Sequence, residues 1–326
     1  MTLLTHVNEF IKEHNLINAG ETIIIGLSGG PDSVFLLHAL KTLQEKYNLK
    51  LIAAHLNHEW RTQAGDDATL CQQLCKQLDI PLVSTTKTKL NFTPKPDPGS
   101  QEARGRMMRR YFFEQVRQQY NAQSIALAHH RKDQEETFFI RLIRGTTLDG
   151  LTSMKPRDGY YIRPLLGIDK APILAYLHEH NIAFATDVTN VSQSHLRNRI
   201  RMQVIPALQA CDARFDDNFE RTIEHLQKAN DFIKRTTAHA LFHCLEKKDT
   251  YQKLKLAHFF AADPFLQPRM LIEWLRMHGV PFILTQSFIA EILKFLTSEH
   301  GGTHTMHHTW KIVKSKGYAH IEKESA

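Results

Sequence analysis

Cysteine is scarce in this chain, with four in 326 residues (Cys71, Cys75, Cys211 and Cys244), and no two form a CxxC pair. That absence removes the spacing by which zinc and iron–sulfur sites are usually recognised. Cys71 and Cys75 stand one helical turn apart, in phase with Leu70, Leu74 and Leu78, and read as buried thiols. Long apolar runs are missing too. The 42% of apolar residues is broken into short stretches, so no membrane span is expected, and the mixture of Asn, Glu, Lys and His among the first apolar positions argues against a signal peptide. A soluble cytoplasmic protein is the expectation. Excess acid is lacking as well: 41 Lys and Arg against 34 Asp and Glu leave a net charge of +7, which favours an acidic partner without naming one.

One stretch organises the rest. The β-branched run Ile23-Ile24-Ile25 leads through Gly26-Leu27 into Ser28-Gly29-Gly30-Pro31-Asp32-Ser33, and an apolar pattern at helical spacing follows. The reading is strand, tight loop, helix. Glycines let the backbone approach an oxyanion, Pro31 suits a first helical position, and the amides and dipole of a helix N-terminus favour phosphate. What the loop lacks is the Gly-Lys-Ser/Thr ending of a kinase-type phosphate loop. Asp32 stands where that cation would be, which fits a pyrophosphate held with Mg2+ while attack occurs at the α-phosphate. An ordinary glycine-rich turn is the plain alternative.

Charge is also clustered. Lys87, Lys89, Lys95, Arg104, Arg106, Arg109, Arg110 and Arg117 face three acidic residues over the same span, and Arg197, Arg199 and Arg201 crowd one short segment. Solvated helix faces explain either cluster alone; two clusters beside a phosphate loop point to a polyanion such as a nucleic acid.

Along the chain, residues 3–17 read as an opening amphipathic helix, 49–56 as a second strand ending in Asn57-His58-Glu59-Trp60-Arg61, 65–78 as a helix and 80–85 as a strand. Polar groups at a strand's carboxyl end lie where parallel sheets bind ligands. His55 and His58 allow a metal reading, but strand alternation does not bring them together. Pro94, Pro96, Pro98 and Gly99 mark a loop, after which Ser100 caps a helix over 101–119. Ser124 to His129 reads as a strand opening into a helix that ends at Gly145, with Asp133 and Glu136 on one face of it. These carboxylates suit ligand contact or simple capping. Tyr160 to Leu165 reads as a strand and 170–180 as a helix. The expected class is α/β, a doubly wound, mainly parallel sheet over 1–210, followed by a mostly helical domain over 211–326 that closes in a β-hairpin turning at Lys316-Gly317.

With these residues on view, the chain resembles the tRNA(Ile)-lysidine synthetases, members of the PP-loop ATP pyrophosphatases, across roughly residues 20–210. The resemblance rests on Ser28 to Ser33, His55 to Arg61, the Arg-rich Glu102 to Arg110, Leu127 to Thr137, Arg144-Gly145, Arg163 to Leu166, Asp187 to Asn190 and Leu196 to Arg201 in that order. One departure is Arg106-Met-Met-Arg109-Arg110-Tyr111, where the family usually shows Arg-x-x-Arg-Tyr; which arginine contacts ATP stays open.

The resemblance implies a two-step reaction. The C2 oxygen of the wobble cytidine in the CAU anticodon of tRNA(Ile) attacks ATP, and the ε-amine of free L-lysine then displaces AMP to give lysidine, which moves codon reading from AUG to AUA. It implies ATP contacts at Ser28, Gly29, Gly30, Pro31, Asp32, Ser33, His55, Arg106, Arg109, Arg197 and Arg201. Asp32, Asp133 and Glu136 are the catalytic candidates, Asp32 and Glu136 would hold Mg2+, and Asp133 and Glu136 would seat lysine. Lys87, Lys89, Lys95, Arg104 and Arg110, with the helical domain, would grip tRNA, and a homodimer is left open.

Three rivals remain. A tRNA cytidine thiolase would usually show CxxC pairs, and the amide-forming synthetases that make NAD or GMP share the loop but lack the Asp133–Glu136 block in this setting. An RNA-binding module without catalysis would have no need of Ser28, Asp32, Asp133 and Glu136.

Overall fold

Three consecutive isoleucines cannot all face one side of a strand, because successive side chains alternate. In the computed structural model, which describes residues 2–60, 64–94, 99–185, 196–248, 251–282 and 285–323, both faces of that strand are buried. It is β1 (Thr22–Gly26), and Ile23 and Ile25 join one core while Ile24 joins another.

The first core lies under α1 (Leu3–Glu13), α2 (Pro31–Tyr47), α3 (Ala64–Gln77) and α8 (Lys170–Glu179); it gathers Val7, Phe35, Leu36, Leu74 and Leu177. The second lies under α5 (Gln101–Gln119) and joins Met108, Phe112, Phe113 and Val116 to Ile24, Ile52 and Ile125. Each fully buried aliphatic side chain contributes about 1.5–3 kcal/mol, so the doubly wound arrangement follows from a sheet that is apolar on both faces. Gly26 is needed at the end of β1: a Cβ there would lie 3.0 Å from the Phe113 ring.

The sheet has six strands in the order β3-β2-β1-β4-β6-β5. β2 (Lys50–Asn57), β3 (Leu82–Thr86), β4 (Ser124–Ala126) and β6 (Tyr161–Ile162) run parallel with β1, and the two-residue β5 (Arg157–Asp158) closes one edge antiparallel. The strand read over 160–165 is therefore only two residues long. The order reverses between β1 and β4, the place where such sheets bind ligands. Short helices α4 (Lys87–Leu90) and α7 (Leu148–Leu151) and the longer α6 (Arg131–Arg144) complete this layer.

The chain forms two compact units, Met1–Glu224 and His225–Ala326. After α9 (Leu196–Arg199), a π-helical turn (Ile200–Val204) and α10 (Ile205–Cys211), the first unit runs on past the 1–210 span read from sequence to include the start of α11 (Phe215–Cys244). Phe219 packs at 5.2 and 6.1 Å from the rings of Phe138 and Phe139 on α6.

The second unit packs the rest of α11, α12 (Leu256–Ala261), α13 (Gln267–Met277) and α14 (Gln286–Thr297) around fully buried Trp274 and Phe259. The expected hairpin is present as β10 (Trp310–Ser315) and β11 (Tyr318–Lys323), turning through Lys316 and Gly317 at φ 48° and 79°, the left-handed pair such a turn requires. It belongs to a larger antiparallel sheet, β7-β8-β11-β10-β9, with β7 (Leu245–Lys248), β8 (Tyr251–Lys255) and β9 (Gly302–His307). Among the described residues, no helix is long and apolar enough to cross a membrane.

Candidate active site

The loop after β1 is braced from within. Ser33 Oγ donates to the Gly30 carbonyl at 2.9 Å and accepts from the Ser28 amide at 3.1 Å. Ser28 and Ser33 hydroxyls lie 3.0 Å apart. Gly29 holds φ at 85°, which a side chain rarely adopts, and its carbonyl accepts from the Ala185 amide at 2.8 Å. Gly30 is the N-cap of α2 and Pro31 its first residue, so the first-turn amides, which have no partner within a helix, face the mouth of the sheet.

Asp32 follows in that first turn. Its Oδ2 lies 3.7 Å from His130 Nε2 and 3.6 Å from Lys170 Nζ, while Oδ1 is buried without a hydrogen-bond partner. His130 therefore stands between two acids, because its Nε2 is also 3.6 Å from Asp133 Oδ2. Asp133 sits at the third position of α6 and its Oδ2 accepts from the His130 amide at 3.0 Å. Capping and site geometry thus coincide in one carboxylate: its capping contact holds it at the end of β4 with Oδ1 turned away. Burial opposes ionisation of Asp133, but the imidazoles of His130 and His129 and the Arg197 guanidinium outweigh it and hold the carboxyl below its usual range.

Glu136, one turn on, is fully buried. Arg197 donates Nε–H to its Oε2 at 2.6 Å, and Arg201 donates Nε–H to Oε1 at 2.5 Å and a terminal N–H to Oε2 at 3.1 Å. Arg197 also reaches Asp133 Oδ1 at 3.1 Å and Glu102 Oε1 at 3.3 Å. Both arginines come from α9 and the π-helical turn, a wider turn often found at functional sites. Burial lowers the Arg197 pKa, yet Glu136 and Asp133 more than offset that and raise it; it stays charged.

Two further arginines on α5 feel one acid, Glu102, only at longer range. Among the described residues neither Arg106 nor Arg109 has a carboxylate at ion-pair distance, and both side chains remain reachable from solvent. Loss of surrounding water, then the like charge of Arg197, depresses the Arg106 pKa; water loss, then Arg106, does the same for Arg109. Cations held under mutual repulsion are ready for an anion.

Histidines line the remaining mouth. His55, at the end of β2, donates Nδ1–H to the Leu27 carbonyl at 2.9 Å and leaves Nε2 buried without a partner. His58 stacks on Trp60 at 4.4 Å, both of its nitrogens are buried without partners, and burial followed by the charge of Arg109 lowers its pKa to about 4. His129 is lowered to about 3, chiefly by burial. The described residues contain no group of three or more His, Cys, Asp or Glu arranged for a metal ion.

The geometry brings Ser28 to Ser33, His55, Asp133, Glu136, Arg197 and Arg201 to one end of the parallel sheet. Lys87, Lys89, Arg104 and Arg110 are exposed on α4 and α5, with the Arg110 guanidinium 4.7 Å over the Tyr161 ring; Lys95, Arg61 and the Asp187–Asn190 motif lie outside the described residues. Sequence reading gave no role to His130 or Lys170, and weighed His58 only as a metal ligand. The tandem His129-His130 after a strand was a usable signal; Lys170, at the start of a remote helix, offered none.

A family model described as a PP-loop domain matches residues 2–208. Curated relatives include the tRNA(Ile)-lysidine synthase of Clostridium tetani, 38% identical over 231 residues, which cover 68% of this chain and 49% of that protein. Those of Geobacillus kaustophilus and Bacillus subtilis are each 32% identical, covering 89% and 91% of this chain and 64% of each relative. The chain thus spans about half to just under two thirds of the curated relatives it matches. Among solved structures, the U34-tRNA thiolase NcsA of Methanococcus maripaludis superposes with a TM-score of 0.57 at 17% identity, covering 68% of this chain and 78% of that one, a likeness of fold. With its braced Ser-Gly-Gly-Pro-Asp-Ser loop at the reversal point of a parallel sheet and a family match over most of the first unit, the chain belongs to the PP-loop family.

Proposed function

We propose that this chain is a tRNA(Ile)-lysidine synthetase of the cytoplasm, joining free L-lysine to C2 of the wobble cytidine in a CAU anticodon at the expense of ATP. The observation that carries the reading is a seat for a cation next to a phosphate loop: Asp133 and Glu136 both turn oxygens onto one guanidinium, and Asp133 is linked to Asp32 through His130. The names of the relatives agree with it.

In the first step the cytidine C2 oxygen attacks the α-phosphate and pyrophosphate leaves. Amides at Gly29, Gly30 and Ser33 would take up its growing charge, and Arg106, Arg109 and Arg201 would offset the charge of the remaining phosphate oxygens. In the second step the lysine ε-amine, held by Asp133 and Glu136, displaces AMP; it attacks only after losing a proton, which a nearby carboxylate accepts.

Mg2+ fits this site at Asp32, whose buried Oδ1 has no other partner; bound there, the ion would neutralise phosphate charge. Glu136 is a poorer ligand as it stands, since both its oxygens are bonded to guanidiniums. Lys87, Lys89, Lys95, Arg104 and Arg110, together with the second unit, would hold the tRNA largely through its backbone. A tRNA cytidine thiolase is disfavoured because the sequence has no CxxC pair.

The test incubates the protein with ATP, Mg2+, radiolabelled lysine and an isoleucine tRNA transcript bearing CAU. Label entering the tRNA is expected. Pyrophosphate release without label would overturn lysine as the nucleophile.

A further inference from the structure

An amino-acid ammonium needs two or three acceptor oxygens and a compensating charge. The seat that would supply them is already full. Every oxygen of Glu136 accepts from Arg197 or Arg201, and Asp133 Oδ1 accepts from Arg197. An arginine side chain is thus bound where a cationic substrate would bind, with the chemistry that substrate would use.

The same arginine is pulled two ways. On one side it holds Asp133, Glu136 and Glu102; on the other stand Arg106 and Arg109, which among the described residues have no carboxylate at ion-pair distance and feel Glu102 only at longer range. A triphosphate bound at those two arginines brings several negative charges, and Arg197, on a four-residue helix next to a π-helical turn, stands within electrostatic range of both. Arg197 also has the weaker hold on Glu136: one bond to it, against two from Arg201.

We propose that Arg197 is an internal stand-in for the amine substrate, occupying the Asp133–Glu136 seat until nucleotide phosphate draws it off, so that the amine enters only after the nucleotide. This rests on the lysine reading given above. The order protects the chemistry: an amine bound first would lie beside an unactivated base, whereas one admitted second meets the adenylated carbonyl. It also makes nucleotide and amine binding mutually favourable, since each removes the same obstacle for the other.

Equilibrium dialysis of radiolabelled L-lysine against the full chain, with and without the α,β-methylene analogue of ATP plus Mg2+, tests this. In the wild type the analogue is expected to tighten lysine binding at least tenfold. In Arg197→Ala lysine should bind without nucleotide nearly as tightly as to the loaded wild type, with the coupling under threefold. Arg197→Lys, which keeps the charge but not the fork of donors, should fall between the two and serves if the alanine variant does not fold. Equal lysine affinity in the wild type with and without the analogue, or full coupling in the variants, would overturn the ordered entry while leaving the lysine reading intact. Nucleotide binding with no lysine binding under any condition would overturn the lysine reading, and the ordered entry with it.

Discussion

The Trp60 ring covers the spot where Gly105 would carry a side chain: a Cβ there would lie 2.3 Å from Trp60 Cη2. Gly105 is in the second turn of α5, inside the helix, where replacing glycine by alanine ordinarily gains about 1 kcal/mol. Here the gain is offset by the stacking of Trp60 on His58, worth about 0.5–1.5 kcal/mol, which Gly105→Ala must break. We expect stability to change by less than about 1 kcal/mol while the Trp60 contribution to fluorescence, isolated by difference from Trp60→Phe, shifts to the red. An unshifted emission would mean that the ring has room to spare.

The adjacent glycines of the phosphate loop should respond differently. Gly29 has φ 85°, so Gly29→Ala imposes backbone strain of about 1–2 kcal/mol, visible as a lower urea midpoint. At Gly30 a Cβ meets nothing nearer than Ser28 Oγ at 3.5 Å. Gly30→Ala should fold with wild-type stability yet raise KM for ATP at least tenfold, because the methyl group stands where phosphate oxygens approach. Equal loss of stability in both variants would contradict the assignment.

Glu136→Gln leaves two guanidiniums facing a neutral amide. Breaking a buried ion pair from one side costs about 3–5 kcal/mol, and the partial exposure of Arg197 and Arg201, 22% and 36%, reduces this to about 2–4 kcal/mol. Urea unfolding followed by circular dichroism checks the size. A loss below about 0.5 kcal/mol would place the pair in the weak class of surface ion pairs.

Two buried groups give stability opposite pH dependences. His58 titrates near 4 in the folded chain against 6.5 ordinarily. The unfolded state therefore binds the proton first, and stability present above pH 6.5 is lost as pH falls toward 4. Burial pushes Glu135 up to about 7 despite Lys132 3.2 Å away, so its contribution is complete below pH 4.5 and lost as pH rises through 7. His58→Gln should flatten the acid limb and Glu135→Gln the neutral one, in urea midpoints measured from pH 4 to 8. A shift of the same sign in both variants would be inconsistent with these environments.

Strand β1 and helices α2 and α5 were readable because isoleucines, Pro31 and the Ser100 cap each have local causes; Ser100 Oγ does accept from the Ala103 amide at 3.2 Å. Leu245–Lys248, Tyr251–Lys255 and Gly302–His307 were not. Lysine, threonine and histidine give them no apolar alternation, and β7 follows α11 with no breaker between them. β8 pairs with β11 and β9 with β10, the two strands that do carry that signal, and β7 is added to the sheet through β8. At the site, Asp32 and Asp133 were legible as acids at strand ends. The seating of Glu136 was not, because its arginine partners come 61 and 65 residues later and the path of the chain between them is set by tertiary packing.

The π-helical turn at Ile200–Val204 holds one residue more than an α-helical turn would. Its downstream end is anchored by buried Ile205 and its upstream end presents Arg197 and Arg201. Excising solvent-facing Met202 would relax the backbone to ordinary helical winding and rotate everything before it by about 100°. Such a deletion keeps every charge in the protein yet swings both guanidiniums off Glu136 at once. In this segment residue number governs the chemistry as firmly as residue identity does.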